Sequence, residues 1–242
     1  VLNVKPYLQR VRIDRENVEN LKAFPFSVPA ISAIDEIEFH QDVTFIVGEN
    51  GSGKSTLIEA IAFALGFGAE GGTKNVQTSS TEDLSVLSRH IKLERGFRRP
   101  GDDYFLRAES FYNVATYMDD VGYLGGYGGK SLHARSHGEA FWSVLCDKLR
   151  GNGLYIFDEP EAALSPNRQL AAITRIHELV GQQSQFVIAT HSPILMSYPH
   201  ARILQLGADG LQEVAYEQTE HYQVTRDFLN RHQAMLRYLM EP

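Results

Sequence analysis

The chain has 242 residues, 23 Lys+Arg against 30 Asp+Glu for a formal net charge of −7, and 43% hydrophobic residues. This is the composition of an ordinary folded domain, and it excludes disorder, collagen-like repeats and coiled-coil rods. No apolar run approaches the ~18 residues that span a bilayer, the start VLNVKPYLQR lacks a basic-then-apolar signal pattern, and the acidic sum gives no general attraction to nucleic acid. A cytoplasmic protein without membrane insertion is expected, and the single Cys146 rules out an internal disulfide.

In chain order, Phe24 and Phe26 stand upstream of the first clear strand, Val43 to Val47 (VTFIV), whose continuous apolar run predicts burial on both faces. Next comes Gly48-Glu49-Asn50-Gly51-Ser52-Gly53-Lys54-Ser55-Thr56, a G-x-x-x-x-G-K-[ST] loop between a strand and a helix. Its glycines let backbone N–H groups curl toward phosphate oxygens, Lys54 supplies a cation for the β- and γ-phosphates, and the Ser55 hydroxyl is placed to ligate Mg²⁺. A helix over Ser55 to Leu65 carries Leu57, Ile58, Ile61, Ala62 and Leu65, with Gly66 at its stop.

Gly66 to Asp83 reads as a surface loop. Arg89 to Arg99 (RHIKLERGFRR) holds five Lys/Arg and one Glu, which suits either a solvated helix face or a nucleic-acid backbone. A second loop spans Asp119 to Ser131. His133 and His137 stand at i and i+4, the spacing of a metal pair, but with no glutamate between them and no third ligand nearby a loop entering a helix is the better reading. That helix begins near His137 and carries Phe141, Val144, Leu145 and Leu149, with Gly151 at its stop.

The strand at Leu154 to Asp158 delivers Asp158 and Glu159 to its carboxyl end, the edge where open α/β sheets bind ligands. Asp158 suits contact with Mg²⁺ through water or through the groups that ligate it, and Glu159 is then free to polarise an attacking water; two solvated carboxylates capping a strand is the plainer alternative. A helix over Pro166 to Val180 stops near Gly181, the strand Phe186 to Thr190 ends at His191 in the run ATHSP, and a strand covers Ile203 to Leu206. The tail from His221 to Met240 repeats apolar residues at helical spacing. Strands alternating with helices predict an α/β sandwich.

The order of these segments resembles the ABC-type ATPase superfamily from about Val43 to Pro193. GENGSGKST looks like its Walker A loop, LYIFDEPE like its Walker B strand, and His191 like its switch histidine. Ser136-His137-Gly138-Glu139, 22 residues before Asp158, looks like the signature in the S-x-G-E form of SMC-like and RecF-like members. Taken alone, SHGE is a plain helix N-cap. The resemblance implies that Ser136, Gly138 and Glu139 meet the γ-phosphate of ATP bound to a second copy.

Three departures stand out, the first being that no aromatic is placed by motif to stack on adenine, with Phe24 and Phe26 upstream of the loop as the candidates. Ser165 occupies a position where many members have aspartate, and no Gln marks a Q-loop. The nearest substitute is the run Tyr104 to Ser110, which puts Arg107 or Glu109 forward, Glu109 as a metal ligand.

Only 27 residues separate Glu109 from Ser136, too few for a coiled-coil arm. The resemblance therefore implies one α/β domain over residues 1–242, a P-loop NTPase of ABC-ATPase type. Its core is a mixed sheet flanked by helices, and residues 66–135 form a short helical or lid insert. It implies an ATPase that uses ATP and Mg²⁺, pairs as an ATP-dependent homodimer, and acts on a protein or nucleic-acid partner. A transporter ATP-binding subunit, a P-loop small-molecule kinase and a non-catalytic regulatory module are the competing expectations.

Overall fold

The computed structural model describes residues 5–74, 82–110, 116 and 137–241. Its main layer is a six-stranded sheet of β3 (Val43–Val47), β5 (Asp102–Arg107), β6 (Gly153–Asp158), β7 (Gln185–Ala189), β8 (Arg202–Gly207) and β9 (Gly210–Glu213). The order is β5-β6-β7-β3-β8-β9, parallel through β8 and closed by the antiparallel β8–β9 hairpin. Every residue of β3, β6 and β7 is buried. Side chains alternate between two cores. Phe45, Tyr155, Phe157, Phe186 and Ile188 enter one, and Ile46, Leu154, Ile156, Val187 and Ala189 the other. Burial on both faces explains why these strands read as unbroken apolar runs rather than as alternating ones.

Helix α2 (Lys54–Ala64) covers the second face, and α5 (Pro166–Gly181) with α4 (His137–Ser143) covers the first. The α4 helix is continued by one π-helical turn, Val144–Lys148. Arg175 of α5 secures that turn, donating to the carbonyls of Leu145 and Leu149 at 3.0 Å each.

A second, three-stranded antiparallel sheet, β2 (Glu36–Glu38), β1 (Leu8–Ile13) and β4 (Ile91–Arg95), packs against α2. Its outer face is a charge ladder: Arg10 pairs with Glu36, Glu38 and Glu94, Arg12 with Glu36 and Glu94, and Lys92 with Asp14. Val11 and Ile37 face the core. The Gln185 side chain, fully buried, joins the two sheets. It accepts from the backbone N–H groups of Tyr7 and Leu8 at 2.9 Å and donates to the carbonyls of Leu8 at 2.8 Å and His40 at 3.0 Å.

Two expectations are corrected. The basic stretch Arg89 to Arg99 is not a helix face, because its centre is β4, where residues alternate between the charge ladder and the core. The stretch after Gly66 is not one loop: Gly72 forms an antiparallel bridge with Phe105, and the short helix α3 (Glu82–Arg89) begins before the expected loop end. Helix α5 ends at Gly181, where the sequence places its stop, and Gln183 beyond it adopts φ 64°. The 119–131 loop and His133 lie outside the described residues.

Candidate functional site

The carboxyl ends of β3, β6, β7 and β8 form one edge, and the charged residues gather there, as expected for an open parallel sheet. β3 runs into the Gly48–Thr56 loop. Gly48 comes so close to β8 that an added Cβ would sit 2.6 Å from the Leu206 carbonyl oxygen, and Gly53 takes φ 99° as α2 begins. Lys54, 4% exposed, donates from Nζ to the Glu49 carbonyl at 2.8 Å. Burial lowers its pKa, opposed by the carboxylates of Glu159, Asp158 and Glu161.

β6 hydrogen-bonds beside β7, which sits beside β3, so the Asp158 carboxylate reaches the P-loop helix. Ser55 Oγ donates to Asp158 Oδ1 at 3.3 Å. Burial, together with the charges of Glu59 and Glu159, pushes the Asp158 carboxyl up to about 7. Glu59, on α2, is likewise raised to about 7 by burial, although Arg107 pairs with it at 2.6 Å. A hydroxyl and a carboxylate strained by neighbouring negative charge are a donor set that a hard divalent cation would relieve, so the residues fit Mg²⁺.

Glu159 follows with φ 49° and ψ 52°, a left-handed conformation that non-glycine residues adopt rarely. Its N–H is held by the Ala189 carbonyl at 3.0 Å, and its Oε1 lies 3.3 Å from His191 Nε2. The bend turns the carboxylate away from the strand and toward β7. Glu161 fixes the other side of this corner, accepting from Thr190 Oγ1 at 2.7 Å and from the His191 N–H at 2.5 Å. Burial lowers the His191 pKa, with Lys54 acting in the same direction, and Glu159 opposes both. His191 Nδ1 lies 2.9 Å from Nε2 of His221 on α6 (Glu220–Met240).

A pocket of about 190 Å³ is lined by Asn50, Gly51, Gly53, Lys54, Ser55, Thr56, Glu159 and Phe24. Phe24 is half exposed there, whereas Phe26 is buried edge-on against His90 and takes no part. Asn50 also joins Glu49 and His191 in a second hollow beside His221, and Ser52 Oγ is buried without a hydrogen-bond partner.

Of the residues read from sequence, Lys54, Ser55, Asp158, Glu159 and His191 are brought to this edge with Gly48 to Thr56. Glu109 is not placed on Ser55 or Asp158: its side chain is 85% exposed and its carboxylate lies 3.3 Å from Arg107. Ser136 lies outside the described residues. Gly138 is the second residue of α4, its carbonyl accepting from Arg168 at 2.6 Å, and an added Cβ would meet the Ala163 carbonyl at 2.9 Å; Glu139 stands in the first turn of that helix. Among the described residues no group of three His, Cys, Asp or Glu side chains is arranged to hold a metal, and no helix is long and apolar enough to cross a membrane. The sequence reading missed Glu59, Glu161 and His221. Only their positions in the fold bring them here.

A family model described as an AAA domain matches residues 17–114. The chain is 40% identical over 73 residues to the DNA double-strand break repair Rad50 ATPase of Thermoplasma acidophilum, and 34% identical over 73 residues to that of Thermoplasma volcanium. Each match covers 30% of this chain and 7% of the relative, so the chain spans a small part of either protein. Among solved structures, the SMC head domain from Thermotoga maritima is 16% identical, with 87% of this chain and all of that chain covered and a TM-score of 0.46. The ABC transporter component cbiO1 from Clostridium perfringens is 18% identical, with 98% and 100% covered and a TM-score of 0.48. The chain thus carries a phosphate-binding loop between β3 and α2 of a parallel sheet, within the segment that matches an AAA domain.

Proposed function

We propose that this protein binds and hydrolyses ATP, and that two copies close over two ATP molecules in a head-to-tail arrangement. The observation that carries the reading is the convergence of Lys54, Ser55, Asp158, Glu159 and His191, from the ends of three neighbouring parallel strands, on one edge of the sheet, where Lys54, Ser55 and Glu159 line the pocket.

The P-loop N–H groups and Lys54 hold the β- and γ-phosphates, and the buried lysine is pre-positioned by the Glu49 carbonyl. Ser55 and Asp158 would hold Mg²⁺, which supplies charge neutralisation at the phosphates. Glu159 orients and polarises the attacking water in line with the γ-phosphate, its backbone bend aiming the carboxylate for that task. His191, beside Glu159, donates toward the γ-phosphate oxygens that gain charge as the bond breaks. Half-exposed Phe24 stands where a base or ribose would rest. Ser136, Gly138 and Glu139 of each copy complete the site of the other, so ATP acts as a dimerisation switch, with force passed to a protein or nucleic-acid partner.

Phosphate release by the purified protein with Mg²⁺ATP tests this reading. Turnover that disappears in Lys54→Ala supports it, and a wild-type protein that binds ATP without hydrolysis contradicts it. A transporter subunit would instead copurify with an integral membrane partner, and a kinase would phosphorylate a small molecule without needing Ser136.

A further inference from the structure

His191 has different neighbours at its two ring nitrogens. Nε2, buried and without a hydrogen-bond partner, lies 3.3 Å from the Glu159 carboxylate, and Nδ1 lies 2.9 Å from His221 Nε2. The contact between the rings needs one proton, and either ring can supply it. If His191 donates from Nδ1, its neutral ring turns the Nε2 lone pair toward Glu159, two acceptors face to face. If His221 donates from Nε2, the His191 proton sits on Nε2, facing the carboxylate. The second arrangement removes the conflict, since the hydrogen bond at one imidazole nitrogen decides which nitrogen carries the proton.

The fold holds His221 for this contact. It is the second residue of α6, whose start is capped by Thr219 Oγ1 accepting from the Tyr222 N–H at 3.4 Å. Thr219 Oγ1 in turn donates to the Tyr216 carbonyl at 2.8 Å. Tyr216 reaches back to the loop after His191, its hydroxyl donating to the Pro193 carbonyl at 2.7 Å, and its ring packs on Tyr222 with centroids 4.6 Å apart. The Glu161 carboxylate fixes the His191 backbone from the opposite side. Both rings are thus anchored independently, and burial with the Lys54 charge nearby disfavours a second proton on the pair.

We infer that His221 is a positioning residue that donates from Nε2 to His191 Nδ1 and so holds His191 as the Nε2–H tautomer, presented to the γ-phosphate side of the site. The inference deepens the proposed hydrolytic function and rests on it only for the catalytic consequence. It also makes the first turn of α6 part of the site, so the segment Thr219–Tyr222 links the catalytic histidine to the C-terminal helix.

The test reads the tautomer and the turnover separately. In long-range ¹H–¹⁵N spectra of the nucleotide-free protein, with His191 assigned by its loss in His191→Asn, the His191 ring shows a protonated Nε2 and an unprotonated Nδ1. His221→Phe, confirmed as folded by its amide spectrum, removes the donor. The expected result is a mixed His191 tautomer and a kcat reduced about tenfold, the usual scale for losing the partner that orients a functional histidine, with KM for ATP nearly unchanged. His221→Gln keeps an N–H donor and restores the Nε2–H tautomer and most of kcat. A wild-type His191 protonated on Nδ1, or a folded His221→Phe protein with the wild-type tautomer and kcat, overturns the inference. A wild-type protein without turnover removes only the hydrolytic reading, and the tautomer measurement then decides.

Discussion

Ser55 Oγ and Asp158 Oδ1 lie 3.3 Å apart although 103 residues of chain separate them. The contact exists because β6 and β3 are both hydrogen-bonded to β7, which brings the end of one strand over the helix that follows the other. It also leaves a carboxylate buried among Glu59 and Glu159.

That burial has a cost in the metal- and nucleotide-free protein. The Asp158 carboxyl ordinarily titrates near 3.8 and is raised to about 7 in the fold, so the native state binds more protons than the unfolded chain between these values. The contribution of this group to stability therefore falls as pH rises from about 4 to about 7 and is flat above. Asp158→Asn removes the penalty while keeping an acceptor for Ser55. At pH 8 it is expected to stabilise the free protein by roughly 1–3 kcal/mol, raising the unfolding midpoint by roughly 2–4 °C per kcal/mol, with the gain shrinking toward pH 4. It should also abolish stabilisation by Mg²⁺ATP. Thermal unfolding across pH checks both, and a variant less stable at pH 8 than at pH 4, each relative to wild type, contradicts the account.

From β7, the buried Gln185 side chain satisfies four backbone groups of Tyr7, Leu8 and His40 at the edge of the small sheet. Gln185→Leu fits the volume and leaves all four unpaired, at about 1–3 kcal/mol each before relaxation. A loss of at least about 3 kcal/mol in urea unfolding is expected, and a loss below about 1 kcal/mol would mean that the β1–β7 junction rearranges at little cost.

The cations of the small sheet are matched by acids. Arg10, Arg12 and Lys92 pair with Glu36, Glu38, Glu94 and Asp14. Within Arg89 to Arg99 this matches Lys92, and with a chain net charge of −7 salt-sensitive association with DNA through the stretch is expected to be weak even at low salt, as read by fluorescence anisotropy. Tight binding whose salt slope drops by about two when Arg98 and Arg99 are reversed would restore a nucleic-acid partner.

The parts of the molecule that were legible in the sequence share a physical cause. Strands β3, β6, β7 and β8 bury both faces and so announce themselves as apolar runs, and the P-loop glycines are demanded by close approach, as at Gly48 against Leu206. The small sheet was not legible because its strands alternate charge with one core residue, Arg10-Val11-Arg12 and Glu36-Ile37-Glu38, and a dense run of charges reads as solvated surface. His221 carries no local signal, and Glu161, although it closes the run LYIFDEPE, is not marked by it as a partner of His191. Each reaches His191 from about 30 residues away, a relation set by the turn after β6 and the start of α6.

Ser136 distinguishes the composite-site reading from a kinase. Each site in a two-fold dimer takes Lys54 from one copy and Ser136 from the other. Ser136→Arg is expected to abolish hydrolysis while leaving ATP binding to the single chain nearly intact. Mixed with Lys54→Ala under free subunit exchange, with independent sites, it should regain about one quarter of wild-type activity. Wild-type turnover in Ser136→Arg removes the composite site.

The most direct test of the central claim is the solution mass of Glu159→Gln by light scattering, with and without Mg²⁺ATP. Without the carboxylate that polarises water, turnover should fall by roughly 10²-fold or more, and bound ATP should persist. The account predicts a shift from one chain of 27.2 kDa to two on adding Mg²⁺ATP, and no shift in Lys54→Ala. A Glu159→Gln protein that holds ATP and stays a single chain, or that hydrolyses it at the wild-type rate, contradicts the account.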